Sequence, residues 1–196
     1  LAGMDEALQA DAFGSNLKFG TAGLRGVMGP GTNRMNEYVV RKATQGLADY
    51  LNANFSNPSV SIAYDSRNNS QVYAEESARV LAANGVKTYL YSRLMPVPVL
   101  SFTVRRLGTT CGIVITASHN SREYNGYKVY GSDGGQILES AADEILQRIG
   151  EVDMFGGVKT VEFKPAEGSL IEYVSESIYE EYMDAMMKAT DICKDT

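Results

Sequence analysis

The chain has 196 residues, 44% of them hydrophobic and 21% charged, with 24 acidic side chains against 18 basic ones for a net charge of −6. That balance argues against a surface built wholly for nucleic acid but leaves room for a small basic pocket, and a chain this long buries roughly 70% of its unfolded surface without a disulfide or metal staple. Cys111 and Cys193 stand in no C-x-x-C spacing, which excludes a zinc knuckle or dithiol motif and fits a reducing cytosol; no apolar run reaches the ~18 residues of a membrane helix, and no basic-then-apolar leader opens the chain.

Residues 4–15 carry a weak helical pattern. Phe19 to Gly26 is so rich in glycine, with Gly29-Pro30-Gly31 behind it, that it reads as loop and turn with a backbone free to approach a ligand. Asn36 suits an N-cap, and Val40, Ala43, Leu47 and Leu51 predict a helix to about Asn54. Val60, Ile62 and Tyr64 mark a short strand that ends in the polar run 65–70, the cap of a second helix carrying Ala74, Ala78, Leu81 and Ala82 and stopped by Gly85. Thr88–Tyr91 is the next strand, Pro96 and Pro98 suit a helix start, and Leu100, Val104 and Leu107 follow at helical spacing.

Gly112 to Ile115 is wholly apolar, as in a strand covered on both faces. Tyr127–Tyr130 reads as a strand that Lys128 nearly opens, and 131–135 as a turn. Ser140 with Asp143 reads as a capping box for a helix through Ile149. Residues 158–163 alternate like a strand, and 171–189 read as an acidic helix. Alternating strands and helices predict a three-layer α/β/α fold with a mostly parallel mixed sheet, in which ligands bind beyond the carboxyl ends of the strands. The start at Leu1 and the stop at Thr196 inside a helical pattern lead to the expectation of a piece of a longer protein.

Thr116-Ala117-Ser118-His119-Asn120 is the most informative segment, because it follows the most uniformly apolar strand and offers a serine at a carboxyl end. A hydroxyl needs a base, a metal or an activated electrophile to react. His119, the one histidine, is adjacent to Ser118 and so badly placed for a hydrolase triad, and no G-x-S-x-G elbow exists. The plainer reading is that Thr116, Ser118 and Asn120 only make turn hydrogen bonds. Lys128 can neutralise a phosphoryl group or carry a proton, or be a surface lysine. Arg25 can fork onto phosphate oxygens or lie idle at the surface. Asp65 and Arg67 can form a structural ion pair. Neither G-x-G-x-x-G nor G-x-x-x-x-G-K-[ST] is present, and no run of aspartates could hold a divalent ion from oxygen ligands alone.

With FGTAGLRG (Phe19 to Gly26), YDSR (Tyr64 to Arg67), TASHN (Thr116 to Asn120), EYNGYKVY (Glu123 to Tyr130) and Asp133-Gly134-Gly135-Gln136 in this order, the chain resembles the first domain of the α-D-phosphohexomutase superfamily over about residues 15–150. AGLRG and the stretch Gly29 to Asn36 resemble its phosphoglucomutase branch most. Ser121-Arg122 departs from the pattern, which usually has a proline after the asparagine.

The resemblance implies a four-domain enzyme, with 1–165 as the domain bearing the phosphoserine loop and 166–196 as a linker helix into a second domain. It implies an intramolecular phosphotransferase interconverting glucose 1-phosphate and glucose 6-phosphate. Ser118 would carry the phosphoryl group and give one oxygen to Mg²⁺, the other metal ligands lying in domains outside this chain. Lys128 would be the general acid/base; His119 is implied as catalytic; Arg25, Asn120 and Thr21 would bind substrate or phosphate. Glucose 1,6-bisphosphate would be the activator, and the remaining domains and a hexose phosphate the partners, with no nucleic acid or membrane and a cytoplasmic location. This piece alone is expected to be inactive. A phosphomannomutase or phosphopentomutase of the same family, or a non-catalytic sugar-phosphate-binding domain, are the alternatives; a serine hydrolase is weakened by the missing triad.

Overall fold

The computed structural model of the protein describes residues 5–20 and 23–191. The elements are, in chain order, α1 (Glu6–Phe13), β1 (Leu24–Val27), α2 (Glu37–Asn54), β2 (Ser59–Tyr64), α3 (Ser70–Ala83), β3 (Lys87–Leu90), α4 (Val97–Leu107), β4 (Cys111–Ile115), β5 (Tyr124–Gly131), α5 (Glu139–Glu151), β6 (Ile171–Tyr173) and α6 (Glu176–Asp191). They build one sheet in the order β1-β5-β4-β2-β3-β6. β2, β3, β4 and β6 run parallel, and β5 is antiparallel to both its neighbours, β4 and β1.

Strand alternation feeds two cores. Ile113 and Ile115 of β4, Ile62 of β2 and Tyr127 of β5 pack with Val40, Ala43 and Leu47 of α2, Ala78 and Leu81 of α3 and Ile145 of α5. On the opposite face Val114 and Tyr130 pack with Leu100 and Val104 of α4 and Ile178 of α6. Helices therefore cover both faces of the sheet, and every residue of β4 is buried. This is the expected three-layer arrangement.

Local chemistry sets the ends of several elements. The Asn36 side chain accepts from Val39 N at 3.0 Å and donates to the carbonyls of Gly29 and Gly31 at 2.9 and 2.8 Å, so it caps α2 and fastens the preceding loop to it. Pro96 precedes α4, and Pro98 sits in its first turn, where a missing N–H costs nothing.

The structure departs from the sequence pattern at five places. The Gly-rich stretch contains β1, held to β5 by pairing rather than by propensity. α5 starts at Glu139 with Leu138 before it and no side-chain cap bond, so Ser140 makes no capping box with Asp143. Residues 158–163 join no strand; their backbone is tied to side chains instead, Lys159 N donating to Gln45 Oε1 at 3.1 Å and Val161 O accepting from Arg79 Nε at 2.7 Å. Ile171–Tyr173 is a strand beside β3 rather than the start of the helix, which begins at Glu176 and meets α4 through Arg106 and Glu181. β5 also starts earlier than expected, so Lys128 lies inside it.

Candidate active site

The segment 116–123 joins β4 to its antiparallel neighbour β5 at the edge where the parallel strands β2 and β4 end. Thr116 N donates to Gly126 O at 3.0 Å, so the sheet ladder runs one residue past β4 before the chain turns. Ser118 then takes a left-handed φ of 56° and is exposed. For a residue with a Cβ that conformation costs about 1–2 kcal/mol, and strain of this kind persists only where neighbours hold it. Its own N–H donates to Thr116 Oγ1 at 3.0 Å. Its Oγ lies 3.4 Å from Nδ1 of the exposed His119. Asn120 N donates to Ala117 O at 3.1 Å, closing the turn.

Arg25 comes from β1, opposite Gly126 across the sheet. Its Nη1 donates to Asn120 Oδ1 at 3.2 Å, which joins the Gly-rich segment to the serine loop. Lys128 is opposite Val114, on the face that also carries Thr116 and Arg25. Arg25 and Lys128 are thus diagonal cross-strand neighbours, a relation that spans about 7–8 Å. Lys128 is half-buried and has no hydrogen-bond or ion-pair partner among the described residues. Gly23 makes this closeness possible. It has φ 80°, and a Cβ there would lie 2.0 Å from Tyr127 O and 2.9 Å from Lys128 Cα.

The other wall comes from the loop between β2 and α3. Asp65, Arg67 and Asn68 join Ser118, Asn120 and Arg122 around an open cleft of about 560 Å³. Asp65 Oδ1 accepts from Arg67 N at 3.0 Å and from Ser70 Oγ at 2.8 Å. Fully buried Asn125 donates to Asn68 O at 3.0 Å and to Ser70 Oγ at 2.9 Å, and its Oδ1 accepts from Gly126 N at 2.8 Å, stitching β5 to this loop. The Arg67 guanidinium reaches across to the carbonyls of Ser118, Asn120, Ser121 and Tyr124 at 2.6–3.1 Å.

Of the residues singled out in the sequence, Ser118, His119, Asn120 and Arg25 come together directly, and Lys128 shares their sheet face without touching Ser118. Thr21 lies outside the described residues. The Asp65–Arg67 pair exists, with Nε 3.4 Å from Oδ2, but the reach of Arg67 into the serine loop went unread, as did Asn125 and Arg122. The available signal was positional: Asp65-Ser66-Arg67 ends a parallel strand at the edge where such sheets bind ligands.

Among the described residues no group of three or more His, Cys, Asp or Glu side chains converges on a point that could hold a metal ion. Ser118 Oγ alone does not make the multi-oxygen shell that Mg²⁺ requires. The donor set of the described residues does not fit a metal by itself.

Residues 16–154 match the family model described as phosphoglucomutase/phosphomannomutase, alpha/beta/alpha domain I. The chain belongs to the phosphoglucomutase/phosphomannomutase family. A phosphoglucomutase of Staphylococcus aureus (strain bovine RF122 / ET3-1) is 48% identical over 144 residues, 74% of this chain and 26% of that protein. The chain therefore spans about a quarter of the length of the curated relatives it matches. The solved structure of a phosphomannomutase homologue from Thermus thermophilus superposes with a TM-score of 0.74 at 25% identity, over 89% of this chain and 36% of that one. The open form of parafusin, a phosphoglucomutase of Paramecium, shares the fold with a TM-score of 0.67 at 20% identity, over 89% of this chain and 35% of its own. Among the described residues no helix is long and apolar enough to cross a membrane.

Proposed function

We propose that the chain is the phosphoserine-bearing part of a phosphoglucomutase, working on glucose 1-phosphate and glucose 6-phosphate through a bound glucose 1,6-bisphosphate. One observation carries this reading: an exposed serine in a strained left-handed turn faces an open cleft, with Arg25 bonded to the same loop and Lys128 on the same sheet face. Phosphoryl transfer asks mainly for in-line positioning and stabilised charge, which such a loop with cations beside it provides.

In the first half-reaction the phosphoryl group leaves Ser118 Oγ for a free sugar hydroxyl. The P–O bond to serine breaks as the bond to the sugar oxygen forms. The hydroxyl gives up one proton and Ser118 Oγ gains one, with Lys128 as the carrier. In the second half the sugar's other phosphoryl group returns to Ser118 Oγ and the proton traffic reverses. Arg25 and Asn120 hold phosphate oxygens or sugar hydroxyls, and His119 hydrogen-bonds to the Ser118 oxygen from the side. Mg²⁺, with one oxygen from phosphorylated Ser118 and the remaining ligands from outside this chain, would stabilise phosphoryl charge when bound. In the full-length protein α6 would lead into a second domain, and this chain alone would turn over no substrate.

The choice of glucose rests on the names of the relatives at 47–48% identity. The full-length protein with Mg²⁺, glucose 1-phosphate and a trace of the bisphosphate should form glucose 6-phosphate, and its intact mass should include a species heavier by one phosphate. Ser118→Ala should lack both. Turnover by the alanine variant, or none by the parent, overturns the reading.

A further inference from the structure

Arg67 lines the cleft, yet its donors are already committed. An arginine has five N–H groups, four of them on the two terminal nitrogens. Nη1 donates to Ser121 O at 2.9 Å and Tyr124 O at 3.1 Å. Nη2 donates to Ser118 O at 2.8 Å and Asn120 O at 2.6 Å. Nε faces Asp65 Oδ2 at 3.4 Å on the remaining side. No terminal donor is left for a phosphate, in contrast to Arg25, which has one bond among the described residues, to Asn120.

The four carbonyls belong to both halves of the serine loop, and one of them is that of Ser118 itself. A left-handed φ at Ser118 turns its peptide plane, and Arg67 Nη2 donates to the carbonyl so turned. The loop has no proline to stiffen it, since Ser121 stands after Asn120, and Ser121 O is one of the tethered atoms.

We infer that Arg67, anchored by Asp65, is a positioning residue that fixes the loop backbone so that Ser118 Oγ points into the cleft, and that it binds no substrate phosphate. This rests on the phosphoserine reading of the same site. A lysine cannot replace it, because three donors on one nitrogen do not span four carbonyls in a fork. Loss of the tether leaves the carbonyls in an open cleft where water can bond them, so the fold survives while the loop loosens.

The test compares the full-length parent with Arg67→Lys, Arg67→Met and, as a contrast, Arg25→Met, under mutase conditions with glucose 1-phosphate. Thermal melts run alongside, and backbone hydrogen exchange is followed across 118–124. A displacement of about 1 Å at the reacting atom is worth on the order of 10²-fold in rate. Both Arg67 variants should therefore lose kcat on that scale with KM within about threefold of the parent. Their 118–124 amides should exchange faster while those of β4 do not. Arg25→Met should instead raise KM. If one Arg67 variant fails to melt cooperatively, the other decides. Unchanged kcat in a folded Arg67 variant, or a rise in KM that accounts for the whole loss, overturns the positioning role while the phosphoserine reading stands. A parent that neither carries phosphate nor turns over removes both.

Discussion

Gly23→Ala is the sharpest test of how the site is assembled. The added methyl would meet Tyr127 O at 2.0 Å and Lys128 Cα at 2.9 Å, both backbone atoms that no side-chain rotation can move away. Restoring the oxygen contact to 3.0 Å, the least that Cβ atoms tolerate, requires β1 and β5 to part by about 1 Å at this point. Alanine at φ 80° adds the left-handed penalty of about 1–2 kcal/mol. β1 is an edge strand of four residues that puts Leu24 alone into the apolar core, so it can yield locally without unseating the rest. The total loss should then be about 2–4 kcal/mol rather than collapse. Arg25 lies on β1 and Lys128 on β5, so the same shift pulls the two cations apart, and kcat should fall on the order of 10²-fold. Urea titration should show a lower midpoint at unchanged slope, and the mutase assay of the full-length variant should show the loss of rate. An alanine variant as stable and as fast as the parent would refute the claim that close backbone approach at Gly23 sets the Arg25–Lys128 geometry.

Two further outcomes are expected. Ser118→Gly should be more stable than Ser118→Ala by about 1 kcal/mol, because only glycine accepts the left-handed turn without strain; for a chain of this size that is about 2–4 °C in Tm by calorimetry, with both variants unable to accept phosphate. Burial pushes the Glu76 carboxyl up, but the Arg41 and Arg79 guanidiniums bonded to it more than offset this and hold it below its usual value of 4.5. A depressed carboxylate contributes stability above its unfolded pKa and loses it as pH falls through the folded one. Glu76→Gln should therefore cost about 1.5–3 kcal/mol at pH 7, and its deficit against the parent should shrink as pH drops below about 4.5; a deficit constant with pH would contradict the ion-pair account.

Elements with long periodic patterns were legible in the sequence. The repeat of Val40, Ala43, Leu47 and Leu51 and the cap at Asn36 locate α2 to its last residue, and the unbroken apolar run at 112–115 reports burial on both faces. Short elements whose existence depends on a partner were not. Leu24–Val27 carries a glycine and has no alternation of its own; it is a strand because β5 offers it a ladder. Ile171–Tyr173 is too short for any period and borrows its conformation from β3. The alternation at 158–163 is genuine, but the backbone there is bonded by the side chains of Gln45 and Arg79 instead of by a strand. In the site, motif residues next to one another could be read, whereas the bonds from Arg67 to carbonyls more than fifty positions away could not. They arise from the fold, since a side chain's reach to backbone oxygens leaves no mark on residue identity.

The serine segment is a connection between two adjacent antiparallel strands, whereas the links leaving β2 and β3 feed helices. Both its stems are clamped by neighbouring ladders, so a change between them re-threads no crossover. The sheet behaves there as a socket whose key is Arg67: an altered loop between Ile115 and Tyr124 seats in it only where its carbonyls still meet that guanidinium.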